Sequence, residues 1–345
     1  MRVVVTGACG FIGSNLVRLL AADPTVAVVA FDALTYAGNL HNLDGIGSGV
    51  RVVRGDVRDR QAVASVLLGA DAVVHLAAET HVDRSIADGR PFVETNVLGT
   101  SVLLDQAREC GISRFVLVST DEVYGDLGPE GVFTEDSPAR PSSPYAASKA
   151  AADLLALAYH RTFGLPVLVT RCGNNFGPYQ FPEKLIPLAI LRAMRREPIP
   201  VYGDGLNIRD WIHVEDHCRA LACVLRAGRP GRVYNIGSGA QVSNLEVVRA
   251  IVRQVGASED LIRFVRDRPG HDFRYALDTT RVHHELGWAP TRGFREGLAD
   301  TVRWYLDHDA WWKTVLTGEY RAYLRRQYGE GPPGRPGDAE EVVPW

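Results

Sequence analysis

The chain has 345 residues, 46% hydrophobic and 23% charged, with a formal net charge of −3 and a pI near 6.4. This excludes a largely disordered or collagen-like chain, and it gives no electrostatic case for nucleic acid or an anionic membrane as partner. The five cysteines are odd in number and include no C-x-x-C pair, so inert thiols are expected, with no disulfide framework or structural zinc.

In chain order, short apolar runs without polar alternation predict strands at 2–6, 26–31, 50–54, 72–75, 114–119 and 166–170. Amphipathic stretches at 11–22, 60–68, 91–110 and 145–163 predict helices between several of them. The alternation implies right-handed βαβ units and an α/β fold, a Rossmann-like doubly wound parallel sheet. From about 173 the pattern changes to Pro, Gly and short mixed segments. Helices are expected there at 183–195, 214–226, 244–255 and 294–306. The expected division is 1–172 for a dinucleotide-binding domain and 173–328 mainly for a smaller, partly interleaved C-terminal substrate lobe. Some segments of that lobe return to the first domain, and the Gly/Pro-rich 329–345 is expected to be a mobile tail. The chain opens directly on a strand, with no signal peptide, and no apolar run is long enough to span a membrane. The cytoplasm is therefore the expected compartment.

Of the 38 basic residues only three are lysines: Lys149, Lys184 and Lys313. Codon bias accounts for the scarcity, yet Arg cannot replace Lys where a compact or titratable ammonium is required. Each surviving lysine is therefore worth inspecting.

Gly7, Gly10 and Gly13 form G-x-x-G-x-x-G between the first strand and first helix. Such glycines let the chain approach a pyrophosphate, and the helix N-terminus supplies N–H donors. A second match at Gly125, Gly128 and Gly131 contains Pro129 and precedes no helix, so it reads as a loop. Asp32 ends the second strand, where a carboxylate accepts from ribose hydroxyls and repels a 2′-phosphate, favouring NAD over NADP. Asp56, followed by Val57, ends the third strand; it is either an adenine contact or an exposed turn aspartate.

Tyr145 and Lys149 form Y-x-x-x-K at the start of a helix, on one face. A nearby ammonium is expected to lower the phenol pKa and make it a usable base. Thr120, Asp121 and Glu122 follow the strand at 114–119, at an edge where open α/β sheets bind ligands. Two adjacent carboxylates there can act as acid and base if their environments separate their pKa values.

The chain closely resembles the dTDP-glucose 4,6-dehydratases of the extended short-chain dehydrogenase/reductase superfamily, to about residue 325. The matching stretches are Thr6–Ser14, Asp32–Asn39, Leu76–Ser85, Ser119–Gly125, Arg171–Pro187, Tyr202–Asp216 and Asp267–Asp278. The resemblance implies tightly bound NAD, a nucleotide-diphosphate sugar (dTDP-glucose) as substrate, and a homodimer. It implies C4 oxidation with Tyr145 as base and Thr120 on the C4 oxygen. Water is then eliminated across C5 and C6 by Glu122 as base and Asp121 as acid, and hydride returns to C6. It places Phe11, Ile12, Thr35, Leu76, Ala77, Ala78 and Thr95 at NAD, and Asn175 near the nicotinamide. It places Thr80, Asn174, Lys184, Leu185, Arg209, Asn244, Asp272, Phe273, Arg274 and Tyr275 at the nucleotide sugar. The planar fork of Arg209 suits a diphosphate, or else an ion pair; Lys184 adjoins Glu183, with which it could pair instead. Cys9, Gly173, Phe176 and Phe273 depart from the usual family residues, and the last bears on nucleotide preference.

His81 and the His283–His284 pair read as ordinary polar positions, and no metal is expected. Two rival readings remain. One is a related enzyme on the same scaffold: a UDP-sugar 4-epimerase, a decarboxylase or a UDP-glucose 4,6-dehydratase. The other is a non-catalytic NAD-binding regulator, which would explain the glycines but not the Tyr, Lys and carboxylates together.

Overall fold

Runs of Val, Ala and Phe, apolar on both faces, build the parallel strands, because such residues pack on a pleated surface covered from both sides. The computed structural model describes residues 1–47 and 49–316, so the expected tail at 329–345 lies outside the described residues. In chain order the strands are β1 (Arg2–Thr6), β2 (Ala27–Asp32), β3 (Val50–Arg54), β4 (Ala72–His75), β5 (Arg114–Thr120), β6 (Val167–Cys172), β7 (Asn174–Phe176), β8 (Ile199–Tyr202), β9 (Ile208–His213), β10 (Val233–Ile236), β11 (Gln241–Ser243) and β12 (Ile262–Val265). The helices are α1 (Phe11–Ala21), α2 (Arg60–Leu67), α3 (Val82–Ala87), α4 (Arg90–Phe92), α5 (Thr100–Glu109), α6 (Pro144–Phe163), α7 (Leu185–Met194), α8 (Val214–Ala227), α9 (Asn244–Val255), α10 (Thr280–Leu286), α11 (Phe294–Asp307) and α12 (Asp309–Val315).

Seven strands form one sheet in the order β3-β2-β1-β4-β5-β6-β10, all neighbours parallel. Val3 and Val5 of β1 face a core shared with α1 and α8; Val4 faces the opposite core, shared with α2, α5 and α6. That alternation is the period of two that a strand imposes, and it makes the sheet doubly wound. The strand order reverses between β1 and β4, and there the carboxyl ends open a crevice. Thr6 pairs with Phe31 and His75, and Thr120 with Cys172, so these residues share one edge.

The smaller lobe holds a three-stranded sheet, β11-β9-β7, and the parallel pair β12-β8. Its core is aromatic: Trp211, Tyr305, Trp311 and Trp312 pack with α7, α9 and α11. The sixfold strand pattern read from the sequence lacks the seventh strand, β10, which the chain adds from beyond residue 173. Four residues are too few to stand out by periodicity, and only pairing with β6 makes them a strand. The expected helix 91–110 is continuous but passes through a π segment at Val93–Gly99. The loop at 125–131 is a loop, with Gly125, Gly128 and Gly131 at φ 80°, 75° and 88°. No helix among the described residues is long and apolar enough to cross a membrane.

Candidate active site

A cavity of about 550 Å³ runs along the carboxyl edge of the sheet, floored by the glycine turn. Gly7 adopts φ 67°, a conformation that a side chain strains. A Cβ on Gly13 would lie 2.0 Å from the Gly7 carbonyl oxygen, so only glycine lets α1 start this close to β1. Gly10 caps α1 without any side-chain acceptor. The first-turn N–H groups, with the helix dipole behind them, therefore suit an anion such as a pyrophosphate.

Asp32 ends β2 on the cavity wall and is buried. Its Oδ2 accepts from the Cys9 N–H at 2.8 Å and its Oδ1 from the Leu34 N–H at 2.7 Å. These bonds fix the carboxylate, whose remaining lone pairs suit ribose hydroxyls. Burial pushes its carboxyl up, and the two N–H groups pull it back. Asp56 is clasped by Arg58, whose Nη2 lies 2.7 Å from Oδ2, and both line the cavity. Phe11, Ile12, Thr35, Val57, Leu76, Ala77, Ala78, Thr95 and Asn175 line it as well. The acidic carboxylate, the uncapped helix and the close glycine turn together fit a dinucleotide such as NAD.

Ser143 caps α6 by accepting from the Ala146 N–H, and Pro144 starts the helix; this fixes Tyr145 and Lys149 one turn apart. Both are buried. The Lys149 Nζ donates to the Val118 carbonyl at 2.7 Å. The expected lowering of the Tyr145 pKa is overturned: the phenol is held well above its ordinary value. Burial is the main cause, and the charge of Glu122 adds to it; the Thr120 hydroxyl acts the other way. The lysine spends its bond on a backbone carbonyl, so desolvation of the phenolate dominates.

Thr120 ends β5, and its hydroxyl accepts from the Glu122 N–H at 3.3 Å, capping a 3₁₀ turn at Asp121–Tyr124. The two carboxylates on that turn meet different fields. Asp121 is 1% exposed. Its carboxyl is driven well above the usual carboxylate range by burial, then by the charges of Glu122 and Asp210. Glu122 is also raised by burial, but Arg268, Lys184 and Arg209 pull its carboxyl back down. Such an arrangement keeps one carboxylic acid protonated beside a carboxylate that is easier to ionise.

Thr80, Asn174 and Lys184 line the same cavity. The Asn174 Oδ1 is buried without a hydrogen-bond partner. The Lys184 Nζ donates to the Thr80 carbonyl at 2.8 Å, while its charge draws the neighbouring Glu183 carboxyl down. Glu183 also faces Arg84 and His81 and accepts from the Tyr36 hydroxyl. Leu185, Arg209, Asn244, Asp272, Arg274 and Tyr275 stand outside the cavity lining. Arg209 is buried, donates to the Asp272 carbonyl at 2.9 Å and stacks on Tyr275 at 4.5 Å. Tyr275 donates to the Asp272 carboxylate, Arg274 donates to Gln241, and Asn244 opens α9. Arg209, Asp272 and Tyr275 thus form one connected group.

Sequence reasoning missed Arg268, Asp210 and His217. Arg268 and Asp210 lie inside the quoted stretches 267–278 and 202–216, but only the fold brings their charges to Glu122 and Asp121. His217 faces Asn175, its Nδ1 2.8 Å from Oδ1. Among the described residues no His, Cys, Asp or Glu cluster could hold a metal ion. Lys313 pairs with Asp309 on α12, away from the cavity.

The GDP-mannose 4,6 dehydratase family model matches residues 4–301. A dTDP-glucose 4,6-dehydratase of Streptomyces niveus is 51% identical over 98% of this chain and 99% of its own length. The solved structure of DesIV, a dTDP-glucose 4,6-dehydratase from Streptomyces venezuelae with NAD bound, superposes with a TM-score of 0.89 at 51% identity, covering 91% of this chain and all of that one. A UDP-glucose 4-epimerase from Thermus thermophilus, in complex with NAD, reaches a TM-score of 0.84 at 32% identity over 89% of this chain and all of that one. The fold is therefore common to dehydratases and epimerases, while the identity over the whole length separates them: the chain belongs to the dTDP-glucose 4,6-dehydratase family.

Proposed function

We infer that the chain converts dTDP-glucose to dTDP-4-keto-6-deoxyglucose and water, with tightly bound NAD. The observation that carries this reading is the split environment of Asp121 and Glu122 beside Tyr145. An epimerase has no elimination step and no use for an acid and a base on one turn. NAD, when bound, supplies the hydride acceptor of the first step and the hydride donor of the last, and brings a cationic ring into the cavity. Gly7, Gly10, Gly13 and the start of α1 would hold its pyrophosphate, and Asp32 its adenosine ribose.

As a phenolate, with the Lys149 ammonium beside it, Tyr145 accepts the C4 hydroxyl proton while the C4–H pair leaves as hydride; Tyr145 later releases that proton to solvent and Asp121 takes one back, which closes the cycle. Thr120 donates to the C4 oxygen. The ketone acidifies the C5 hydrogen, which Glu122 removes as a proton. The electron pair left at C5 forms the C5–C6 double bond, and the C6 hydroxyl leaves with the Asp121 proton as water. Glu122 returns a proton to C5 as hydride reaches C6. Thr80, Asn174, Lys184 and Leu185 hold the sugar end, and Arg209, Asn244, Asp272, Arg274 and Tyr275 the nucleotide diphosphate.

The test is incubation of the purified chain with dTDP-glucose and, separately, UDP-glucose. The expected result is loss of water from dTDP-glucose by mass spectrometry, with a 4-keto-6-deoxy sugar by NMR. A 4-epimer and no dehydrated product would overturn the reading.

We further propose a homodimer. Leu154 of α6 is 64% exposed and Leu98 of the neighbouring π segment 52%, apolar side chains suited to a helical interface. Residues 1–172 act as the NAD-binding domain and 173–328 mainly as the substrate lobe. The compartment is the cytoplasm, since NAD and nucleotide sugars are made there and the five unpaired cysteines suit a reducing environment.

A further inference from the structure

Most ion pairs among the described residues lie at the surface; two are buried on both sides, His81–Glu183 and Arg171–Asp153, and burial holds His81 in its neutral form. The Arg171 Nε on β6 donates to the Asp153 Oδ2 on α6 at 2.9 Å, with side chains 8% and 1% exposed. A buried pair of this kind is not needed for stability, since apolar residues of the same volume serve as well or better. Its position suggests another use. Asp153 lies four residues after Lys149, one helical turn along the same buried face of α6. The Arg171 guanidinium also stacks on the ring of Tyr124, 4.7 Å from its centroid. Tyr124 is the last residue of the turn that carries Asp121 and Glu122, and its hydroxyl donates to Asn235 Oδ1 at 2.7 Å. One guanidinium thus braces the carboxylate turn against the helix that carries Tyr145 and Lys149.

We propose that Asp153 and Arg171 are a positioning pair for the reaction: Asp153 keeps the Lys149 ammonium charged, and Arg171 holds α6 in register with the Asp121–Tyr124 turn. Neither touches the reacting atoms. The role assigned to Asp153 rests on the reading of Tyr145 as base.

The charge logic follows from what surrounds Lys149. From β4 comes His75, which burial pushes down to about 3, so it is neutral at working pH. From β6 comes Cys172, a thiol pushed up to about 12 by burial, also neutral, with Arg171 beside it. From its own helix come Tyr145 and Asp153; the turn after β5 contributes Asp121 and Glu122, which face Tyr145. Burial pulls the Lys149 ammonium down, and Asp153 is the first group to oppose this. Lys149 and Arg171 share this one carboxylate: Asp153 supports the Lys149 charge, and Arg171 draws part of that support to itself.

The scarcity of lysine makes the test direct. Lysine labelled with carbon-13 at Cε gives one NMR signal each for Lys149, Lys184 and Lys313 in the full chain with NAD bound, and K149R identifies the first by its loss. D153N is expected to move the Lys149 midpoint down by about one pH unit, and R171M to move it up, with Lys184 and Lys313 unchanged. An unmoved midpoint, or a shift of the same sign in both variants, overturns the proposal. Should a single variant fail to fold, D153N/R171M removes both buried charges together. Its kcat is expected to fall about tenfold or more, with KM for dTDP-glucose and NAD content within about twofold of wild type. Wild-type kcat in that variant also overturns it. The titration needs no substrate, so absence of turnover in the wild type would count against the functional reading alone.

Discussion

At the scale of single residues, chemistry is divided between groups that differ little in type and greatly in surroundings. E122Q should retain NAD and lose water elimination, and full 4-keto-6-deoxy product from that variant would remove Glu122 from the mechanism. Y145F should lower kcat by about 10² to 10⁴ with the fold intact by circular dichroism. The pH profile of kcat has a definite shape. Glu122 must be ionised, and its carboxyl is raised above 4.5, so the acid limb should lie above that value. Asp121 must be protonated, so activity falls as pH rises through its elevated pKa. Stability has a separate dependence. His75 and His217 are both pushed from 6.5 to about 3 by burial, so each is neutral when folded and takes up a proton on unfolding between those values. The unfolded state then binds more protons, and stability is lost as pH falls from 6.5 toward 3. Denaturant titrations should therefore show H217N losing less stability than the wild type between pH 7 and 4.5, by about 2 kcal/mol.

At the scale of elements, turn geometry decides. G13A would drive a Cβ into the Gly7 carbonyl at 2.0 Å, so either the turn or α1 must move. The variant should purify without NAD, as read from its nucleotide absorbance, whereas an exposed glycine such as Gly47, whose added Cβ meets nothing, should tolerate alanine. The glycine turn, Y-x-x-x-K and the Thr-Asp-Glu triplet were legible in the sequence because each lies within one short segment. The pKa of Tyr145 was not legible. An i, i+4 spacing shows that Lys149 shares a face with the phenol, but not that its Nζ turns to the Val118 carbonyl. Likewise the acid and base on the 121–122 pair follow from Asp210 and Arg268, which are distant in sequence.

At the scale of the whole molecule, two lobes share one chain without a clean cut. β10 and α8 come after residue 173 yet complete the large sheet and one of its cores. The exposed Leu98 and Leu154 predict the assembly: the chain should scatter light as a dimer at micromolar concentration, and L98E/L154E should be monomeric. A monomeric wild type would remove the helical interface from this account.

The sequence by itself determined the parallel sheet and marked out the glycine turn and the groups proposed to react, because strand periodicity, glycine spacing and helical spacing are local rules. It also singled out Lys149 and Lys184 through the scarcity of lysine, and both line the cavity. Only the tertiary structure decided which strand closes the sheet, which charges separate Asp121 from Glu122, and that Arg171 and Asp153 stand behind Lys149. The reason is physical. Burial and Coulomb interactions depend on distance in space, and residues 121, 153, 171, 210 and 268 become neighbours only when the chain has folded.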